Sequence, residues 1–425
     1  MSKTFVFKFG GASVKDAGSI KNLSEILFNR LRNGLVIVIS AMGKTTNRLE
    51  EILQIKYRQE DYSSNITILK EFHLEICRQL FEENSSIFPI VSNLITQLEK
   101  QLERSLTKEN YDYFYDQVVC YGELLSSKIL QEYLCSKGYI CVWQDAREII
   151  QTDSNHRFAK VNWDQTTANC QKQLAPKLKQ FPVIVPGFIG STVTGDSTTL
   201  GREGSDFSAA ILASCLHAQS VTIWKDVPGV LNADPKRFSD TVKFEELDYH
   251  EAAELTYYGA SVIHPKTIKP LANAGIPLFV KSFLQPTESG TKIHHMDYIN
   301  EKIPCIVVKD DQSLLSFKVT DFTFINEGHI QEIYQGLNEL KLKVNLLQTS
   351  AISISIVVDR QDFKIEKLIA NLQDAFQIRF NEHLQLITIK HHNPITIEKI
   401  IKGKEVIMEQ ITRTTFQVLH KPASS

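Results

Sequence analysis

The first forty residues constrain this chain more than any others. Thr4–Phe9 (TFVFKF) is a run of strand length, Gly10-Gly11 break it, and Asp16 opens a pattern with Ile20, Leu23, Leu27 and Leu31 on one face. Gly34 ends that pattern, and Leu35–Ile39 (LVIVI) follows with no polar position. A 3.6-residue apolar period between two strand-like runs predicts strand, helix, strand. A strand that is apolar on both faces must be covered on both, so the unit reads as a βαβ crossover in a parallel sheet.

The alternation continues. Residues 45–135 are mostly polar with periodic leucines and few glycines, which predicts helices packed on one side of the sheet. Buried strands are expected at Tyr139–Trp143, Val183–Val185 and Val221–Trp224, with a helix from about Asp206 to His217 before the last. After Lys281 the composition shifts, and Gln285–Gly290 (QPTESG) reads as a linker. Beyond it come a strand (Leu314–Val319), a helix after Gly328, and strands at Val344–Gln348 and Ser353–Val358. A helix (Phe363–Gln373) and a strand (Leu384–Lys390) complete the set. That is the βαββαβ rhythm of a ferredoxin-like α+β module, with room for about two. A chain of 425 residues accommodates two or three such domains.

Composition narrows the partners. Lys plus Arg number 47 and Asp plus Glu 49, so no bulk charge draws the chain to nucleic acid or an anionic membrane. The longest apolar run, Leu35–Met42, is too short to span a bilayer. Cysteines at 77, 120, 135, 141, 170, 215 and 305 form no C-x-x-C pair, which argues against a zinc knuckle and fits reduced thiols. The strand-like run begins at Thr4 with no signal peptide before it, so a cytoplasmic location is expected.

Five segments could carry chemistry. In Lys8-Phe9-Gly10-Gly11 a lysine ends a strand beside a glycine turn, where backbone N–H groups can approach a phosphate; a plain strand-to-helix turn accounts for it as well. Ser40–Asn47 (SAMGKTTN) imitates the tail of a Walker A loop, but its first glycine would fall at Val38, inside the strand, which excludes a P-loop. Thr198–Asp206 (TTLGREGSD) is dense in glycine, hydroxyls and arginine and runs into a helix. Helix-terminal N–H groups suit an anion, and Arg202 could grip a carboxylate with two parallel bonds. Lys225–Val230 (KDVPGV) and Asn232–Lys236 (NADPK) fit either a nucleotide loop or ordinary turns. His264 precedes a proline and has no Ser/Asp partner set, so nucleophilic catalysis is not expected.

Taken in this order, KFGGASV, SAMGKTTN, YGEL (Tyr121–Leu124), GFIG (Gly187–Gly190), TTLGREGSD, WKDVPGV with NADPK, and YGASVIHP (Tyr258–Pro265) resemble the signatures of the aspartate kinases of the amino acid kinase family. The resemblance covers roughly residues 3–285; the tail is similar to paired ACT domains. It implies a three-layer αβα kinase domain over 1–285, a linker over 286–310, and two ACT-like modules over 311–425, the second trimmed. The implied reaction is ATP-dependent phosphorylation of the L-aspartate side chain, with Mg²⁺ brought by ATP and no protein-held metal. It would be the first step toward lysine, threonine and methionine.

Site roles follow from the same resemblance. Lys8, Asp206 and Lys225 would be catalytic, Lys8 neutralising the transferring phosphoryl group. Gly10 and Gly11 would shape the phosphate-facing turn, and Ser40 and Thr46 would hydrogen-bond phosphate and substrate. Glu123 would pair with the α-ammonium of aspartate, Arg202 with its α-carboxylate, and Phe188 would line the substrate site. Ser205 and Asp206 would organise the reacting centre. Lys225, Asp226, Leu231, Asp234, Lys236, Ser261 and Val262 would line the nucleotide site. The physics agrees: a carboxylate nucleophile with a pKa near ~4 is already ionised at neutral pH and needs no general base. What remains is repulsion between anions, which cations and positioning relieve.

This chain departs from the family pattern at three points. Ser261 stands where relatives carry a second phosphate-facing lysine, so Lys225, or failing it Lys266, is expected to supply that charge. Leu231 replaces a frequent tyrosine. In the tail, Asn326, His329, Ile330, Val344 and Asn345 resemble an ACT effector loop, for lysine or threonine, with a homodimer through that region. Asn345, where lysine-sensing members often have an aspartate, weakens the case for lysine. The alternatives are another amino acid kinase and a catalytically impaired amino-acid sensor.

Overall fold

The computed structural model describes residues 3–260, 263–297, 303–320 and 323–422. It divides into two compact units: residues 1–230, 243–253 and 262–297, and residues 231–242, 254–261 and 298–425.

The first unit opens as expected, with β1 (Phe5–Phe9), α1 (Ala17–Phe28) and β2 (Leu35–Ile39). Asp16 caps α1 by accepting from Ser19 N at 2.7 Å, which satisfies one orphan donor of the first turn. Five helices follow: α2 (Thr45–Tyr57), α3 (Ser63–Leu80), α4 (Ile87–Leu102), α5 (Tyr111–Val119) and α6 (Tyr121–Ser136). Then come β3 (Val142–Trp143), α7 (Trp163–Asn169) and α8 (Ala175–Leu178), the two helices joined through a π turn at Cys170–Leu174. Next are β4 (Val183–Pro186), a hairpin of β5 (Ile189–Ser191) and β6 (Ser197–Thr199), α9 (Gly204–Cys215) and β7 (Ser220–Lys225). The unit is completed by β8 (Glu246–Asp248), α10 (Tyr249–Tyr258, whose end falls in the second unit), α11 (Pro265–Asn273), β9 (Leu278–Ser282) and β10 (Thr291–His294).

These strands form one sheet in the order β3-β4-β2-β1-β7-β9-β10-β8, parallel except for β9 with β10. All five residues of β2 are buried, as an all-apolar strand covered on both faces must be. The fold is a three-layer α/β sandwich. Phe9 and Trp224, at the ends of β1 and β7, stack with ring centroids 5.7 Å apart beneath the edge where both strands end. The chain leaves β1 toward β2 on one side and returns to β7 on the other, so a crevice opens at the carboxyl ends of β1 and β7.

The second unit holds β11 (Cys305–Val319), α12 (Glu327–Glu339), β12 (Val344–Thr349), β13 (Ser353–Asp359), α13 (Asp362–Leu372), β14 (Phe376–Lys390), α14 (Pro394–Ile401), β15 (Glu405–Ile411) and β16 (Thr415–Lys421). Its sheet runs β12-β13-β11-β14-β16-β15, antiparallel throughout. The first four strands with α12 and α13 make one ferredoxin-like, ACT-like module around Leu315, Phe317, Ile356 and Phe376. The other halves of β11 and β14 continue into a smaller module with the single helix α14.

Within the expected linker, 286–310, Thr291–His294 joins the first sheet and Cys305 begins β11. Among the described residues no helix is long and apolar enough to cross a membrane.

Candidate active site

The crevice at the ends of β1 and β7 is a cavity of about 510 Å³ lined by residues of the first unit alone. Its floor is electrostatic. Asp206, in the first turn of α9, is 2% exposed, and its two carboxylate oxygens face Lys8 at 2.6 Å and Lys225 at 3.6 Å. Burial alone raises a carboxyl pKa, yet the two ammonium groups outweigh it and hold Asp206 below its usual range. Asp206 is therefore a fixed anion that sets the spacing of two cations, with Arg202 on the same cavity wall.

The turns around this floor need their glycines. A Cβ on Gly11 would lie 2.9 Å from the Ala41 carbonyl and 3.1 Å from that of Gly43, so the loops after β1 and β2 can approach only without it. Gly43 N donates to Gly11 O at 3.2 Å and ties the two turns together. Ser40, Gly43 and Thr46 line the cavity from the second turn.

Glu123 enters from the first turn of α6. It is 3% exposed; Oε1 accepts from Ala41 N at 3.3 Å and Oε2 has no hydrogen-bond partner among the described residues. Burial pushes its carboxyl up from 4.5 to about 8, with Ala41 N and the more distant Lys8 only partly opposing. A buried carboxylate with one unpaired oxygen, on a residue that lines a cavity, is suited to a cationic ligand group.

The opposite wall comes from the segment after β3. Asp116 on α5 is fully buried and accepts from Arg157 N (3.0 Å), His156 Nδ1 (2.9 Å) and Thr199 Oγ1 (2.6 Å). This clamp holds Arg157 in a left-handed backbone conformation (φ 67°) and brings Arg157, Phe158 and Thr199 to the cavity. Phe188 (φ 67°) lines it from the turn between β4 and β5, its N–H donating to Ser208 Oγ at 2.9 Å.

Of the residues expected from the sequence, the structure brings together Lys8, Gly11, Ser40, Thr46, Glu123, Phe188, Arg202, Ser205, Asp206 and Lys225. Gly10 precedes the turn as extended backbone, its α-carbon beside the Lys8 side chain. Asp226 does not line the cavity. Leu231, Asp234 and Lys236 belong to the second unit, where Asp234 Oδ1 accepts from Lys236 N at 2.9 Å in a local turn. Ser261 and Val262 lie outside the described residues. Lys266, the second candidate for the displaced charge, donates instead to Leu200 O at 3.0 Å and lies over the Phe207 ring. The sequence reading passed over Tyr115, Arg157, Phe158 and Glu203. Three of them are remote from the glycine motifs, and the buried Asp116, with the Ala159 N to Thr199 O bond at 3.1 Å, ties their segments to the site.

The expected effector residues have local tasks. Asn326 and His329 form a reciprocal cap at the start of α12, at 3.1 and 3.2 Å. Ile330 and Val344 pack against the module core. Asn345 accepts from Lys309 Nζ (2.8 Å) and donates to Gln312 Oε1 (2.8 Å) and Asp359 Oδ1 (2.9 Å). Among the described residues no cluster of three or more His, Cys, Asp or Glu side chains could hold a metal ion.

Comparison with known proteins bears on the family and the fold. The model of the amino acid kinase family matches residues 3–282. The lysine-sensitive aspartokinase 3 of Escherichia coli is 29% identical over 92% of this chain and 87% of its own. The chloroplastic aspartokinase 1 of Arabidopsis thaliana is 31% identical over 95% of this chain and 70% of its own. The crystal structure of E. coli aspartokinase III in complex with aspartate and ADP superposes with a TM-score of 0.83 at 26% identity, covering 99% of this chain and 96% of that one.

Proposed function

We propose, from the premise that this chain belongs to the amino acid kinase family and is a homologue of the aspartokinases, that it transfers the γ-phosphoryl group of ATP to the side-chain carboxylate of L-aspartate. The observation that carries the reading is a single cavity holding a lysine–aspartate–lysine cluster, an arginine and a buried, half-unpaired glutamate.

Each group has a physical task in that reaction. Glu123 takes the α-ammonium, the one cationic group of the substrate. Arg202 takes the α-carboxylate, leaving the side-chain carboxylate to face the phosphates. That carboxylate is ionised at neutral pH and attacks without a base. Lys8 and Lys225 lower the repulsion between the two anions and stabilise charge on the transferring group, at a spacing that Asp206 fixes. Mg²⁺ carried by the nucleotide adds positive charge at the phosphates when bound; Asp206, already held by two lysines, is not assigned to it. Lys225 thereby supplies the charge that Ser261 does not, which also favours an active enzyme over an impaired sensor.

The second unit is read as a regulatory and dimerising region for an amino acid effector, and the product as an intermediate toward lysine, threonine and methionine. The test is ADP release coupled to NADH oxidation, with L-aspartate and L-glutamate compared and the acyl phosphate trapped by hydroxylamine. Turnover with aspartate and a trapped hydroxamate are expected. Turnover with glutamate alone, or none, removes the proposal.

A further inference from the structure

The end of α6 turns the chain back on itself. Gly138, at φ 84°, supplies the left-handed residue that stops the helix. Its N–H donates to Cys135 O at 2.9 Å, and Tyr139 N–H donates to Leu134 O at 3.1 Å, the two bonds that close a glycine-ended helix. The chain then enters β3, whose place is fixed by parallel pairing with β4 and by the Val142 N–H bond to Pro182 O at 3.0 Å. Turn and strand together return Cys141 to the helix end, and its sulfur lies 3.8 Å from the sulfur of Cys135.

The two thiols differ in exposure and in chemistry. Among the described residues Cys135 is the one exposed cysteine, whereas Cys141 is 7% exposed. The Gln131 side-chain amide donates to Cys135 Sγ at 3.2 Å, and a donor on the sulfur favours the thiolate. Burial, with Cys135 alongside, pushes the Cys141 thiol up, so it keeps its proton. An oxidant arriving from solvent therefore meets Cys135 first, with Cys141 in contact behind it. The other neighbouring pair, Cys170 and Cys215, is buried on both sides, at 0% and 3%.

We propose that Cys135 and Cys141 are a peroxide-reactive dithiol that forms a reversible intrachain disulfide, with Cys135 the sulfur first oxidised and Cys141 the sulfur that resolves it. The Cys135 thiolate attacks one oxygen of hydrogen peroxide. An S–O bond forms, the O–O bond breaks, and the departing hydroxide takes up a proton and leaves as water. The Cys141 sulfur then attacks the sulfur of the Cys135 sulfenic acid. The S–S bond forms, the S–O bond breaks, and hydroxide leaves with the Cys141 proton as a second water. Two thiols give up two electrons and the peroxide accepts them. The bond ties the end of α6 to β3, elements already joined by Trp143 Nε1 donating to Ser127 Oγ at 2.9 Å. It also ends the oxidation of Cys135 at a stage that an external thiol reverses by attack at the exposed sulfur.

The test uses the full chain, first reduced, then exposed to a modest excess of hydrogen peroxide and alkylated under denaturing conditions. Trypsin cuts between the two cysteines at Lys137, so peptides 129–137 and 138–147 carry one cysteine each. The expected result is the loss of two of the seven alkylatable thiols and a linked pair of these peptides that separates with dithiothreitol. Cys141→Ser is expected to accumulate sulfinic and sulfonic acid on Cys135 instead, and Cys135→Ser to leave Cys141 alkylatable. Seven thiols still alkylatable, a linked 170–215 pair in place of the expected one, or overoxidised Cys135 in the wild-type chain with no linked peptide overturns the proposal. Equal overoxidation of Cys135 with and without Cys141 overturns the resolving role. The wild-type peptide map is decisive by itself, so a serine variant that folds poorly does not shelter the proposal.

Discussion

Two buried titratable side chains give opposite pH signatures. The Glu123 carboxyl is raised from 4.5 to about 8 by burial. In the empty protein it is largely protonated at neutral pH, and an ammonium group placed against Oε2 would drive the proton off. Aspartate binding should therefore release close to one proton near pH 7, and affinity should strengthen between pH 6 and 8 and then level. Calorimetry in two buffers of different ionisation enthalpy measures the release, and Glu123→Gln should abolish it along with most of the affinity. The same shift means that the empty protein loses stability as pH rises from 4.5 through 8.

His73 runs the other way. It is fully buried, donates through Nδ1 to Leu69 O at 2.8 Å, meets Thr45 Oγ1 at 3.5 Å, and is held neutral, its pKa lowered by burial from 6.5 to about 4. The unfolded chain binds that proton first, so this contribution is intact above 6.5 and lost as pH falls through 4, by up to about 3 kcal/mol. Thermal melts of wild type and His73→Gln between pH 7 and 4 should converge toward the acid end. Curves that stay parallel would count against a neutral buried imidazole.

Among the elements, the clamp on Asp116 ties α5, the 156–158 segment and β6 into one wall. Asp116→Ala leaves the Arg157 N–H, the His156 ring and the Thr199 hydroxyl without their acceptor and is expected to cost about 3 kcal/mol in a denaturant melt. Because Arg157 and Phe158 line the cavity, the KM for aspartate should rise more than kcat falls, and Asp116→Asn should recover part of the stability. A variant with wild-type KM would show that the wall does not depend on the clamp. None of this was visible in sequence, where Asp116 is one acid in a helical stretch and Arg157 follows a histidine in a loop. The opening β1–α1–β2 unit was legible because its apolar periods are uninterrupted, and α9 because its small and apolar residues follow a glycine-rich turn. Its start at Gly204 rather than Asp206 was not, since a left-handed glutamate as the preceding residue runs against local preference. The strands β11 and β14 were read as short because bulges at Lys309–Leu314 interrupt their alternation, and because each strand serves two modules at once.

For the molecule as a whole, the proposal that the second unit binds an amino acid effector meets its polar cluster, which makes a definite prediction. A lysine effector needs an acceptor set for its side-chain ammonium. Around Asn345 that set is already filled from within: Lys309 Nζ bonds Asn345 Oδ1 at 2.8 Å and lies 3.7 Å from Asp359 Oδ1, while Gln312 Nε2 donates to the same Asp359 oxygen at 2.9 Å. The Lys309 side chain is 17% exposed, so its ammonium competes at full local concentration with anything arriving from solution. Free L-lysine should therefore neither inhibit turnover nor produce binding heat at millimolar concentration, whereas a neutral amino acid such as L-threonine does not face that competition. Lys309→Ala empties the position and leaves Asn345 and Asp359 facing it, and lysine should then bind measurably. Inhibition of the wild-type chain by lysine at the level seen in the variant would mean that Lys309 does not occupy the effector's place, and that sensing resides elsewhere in the sheet.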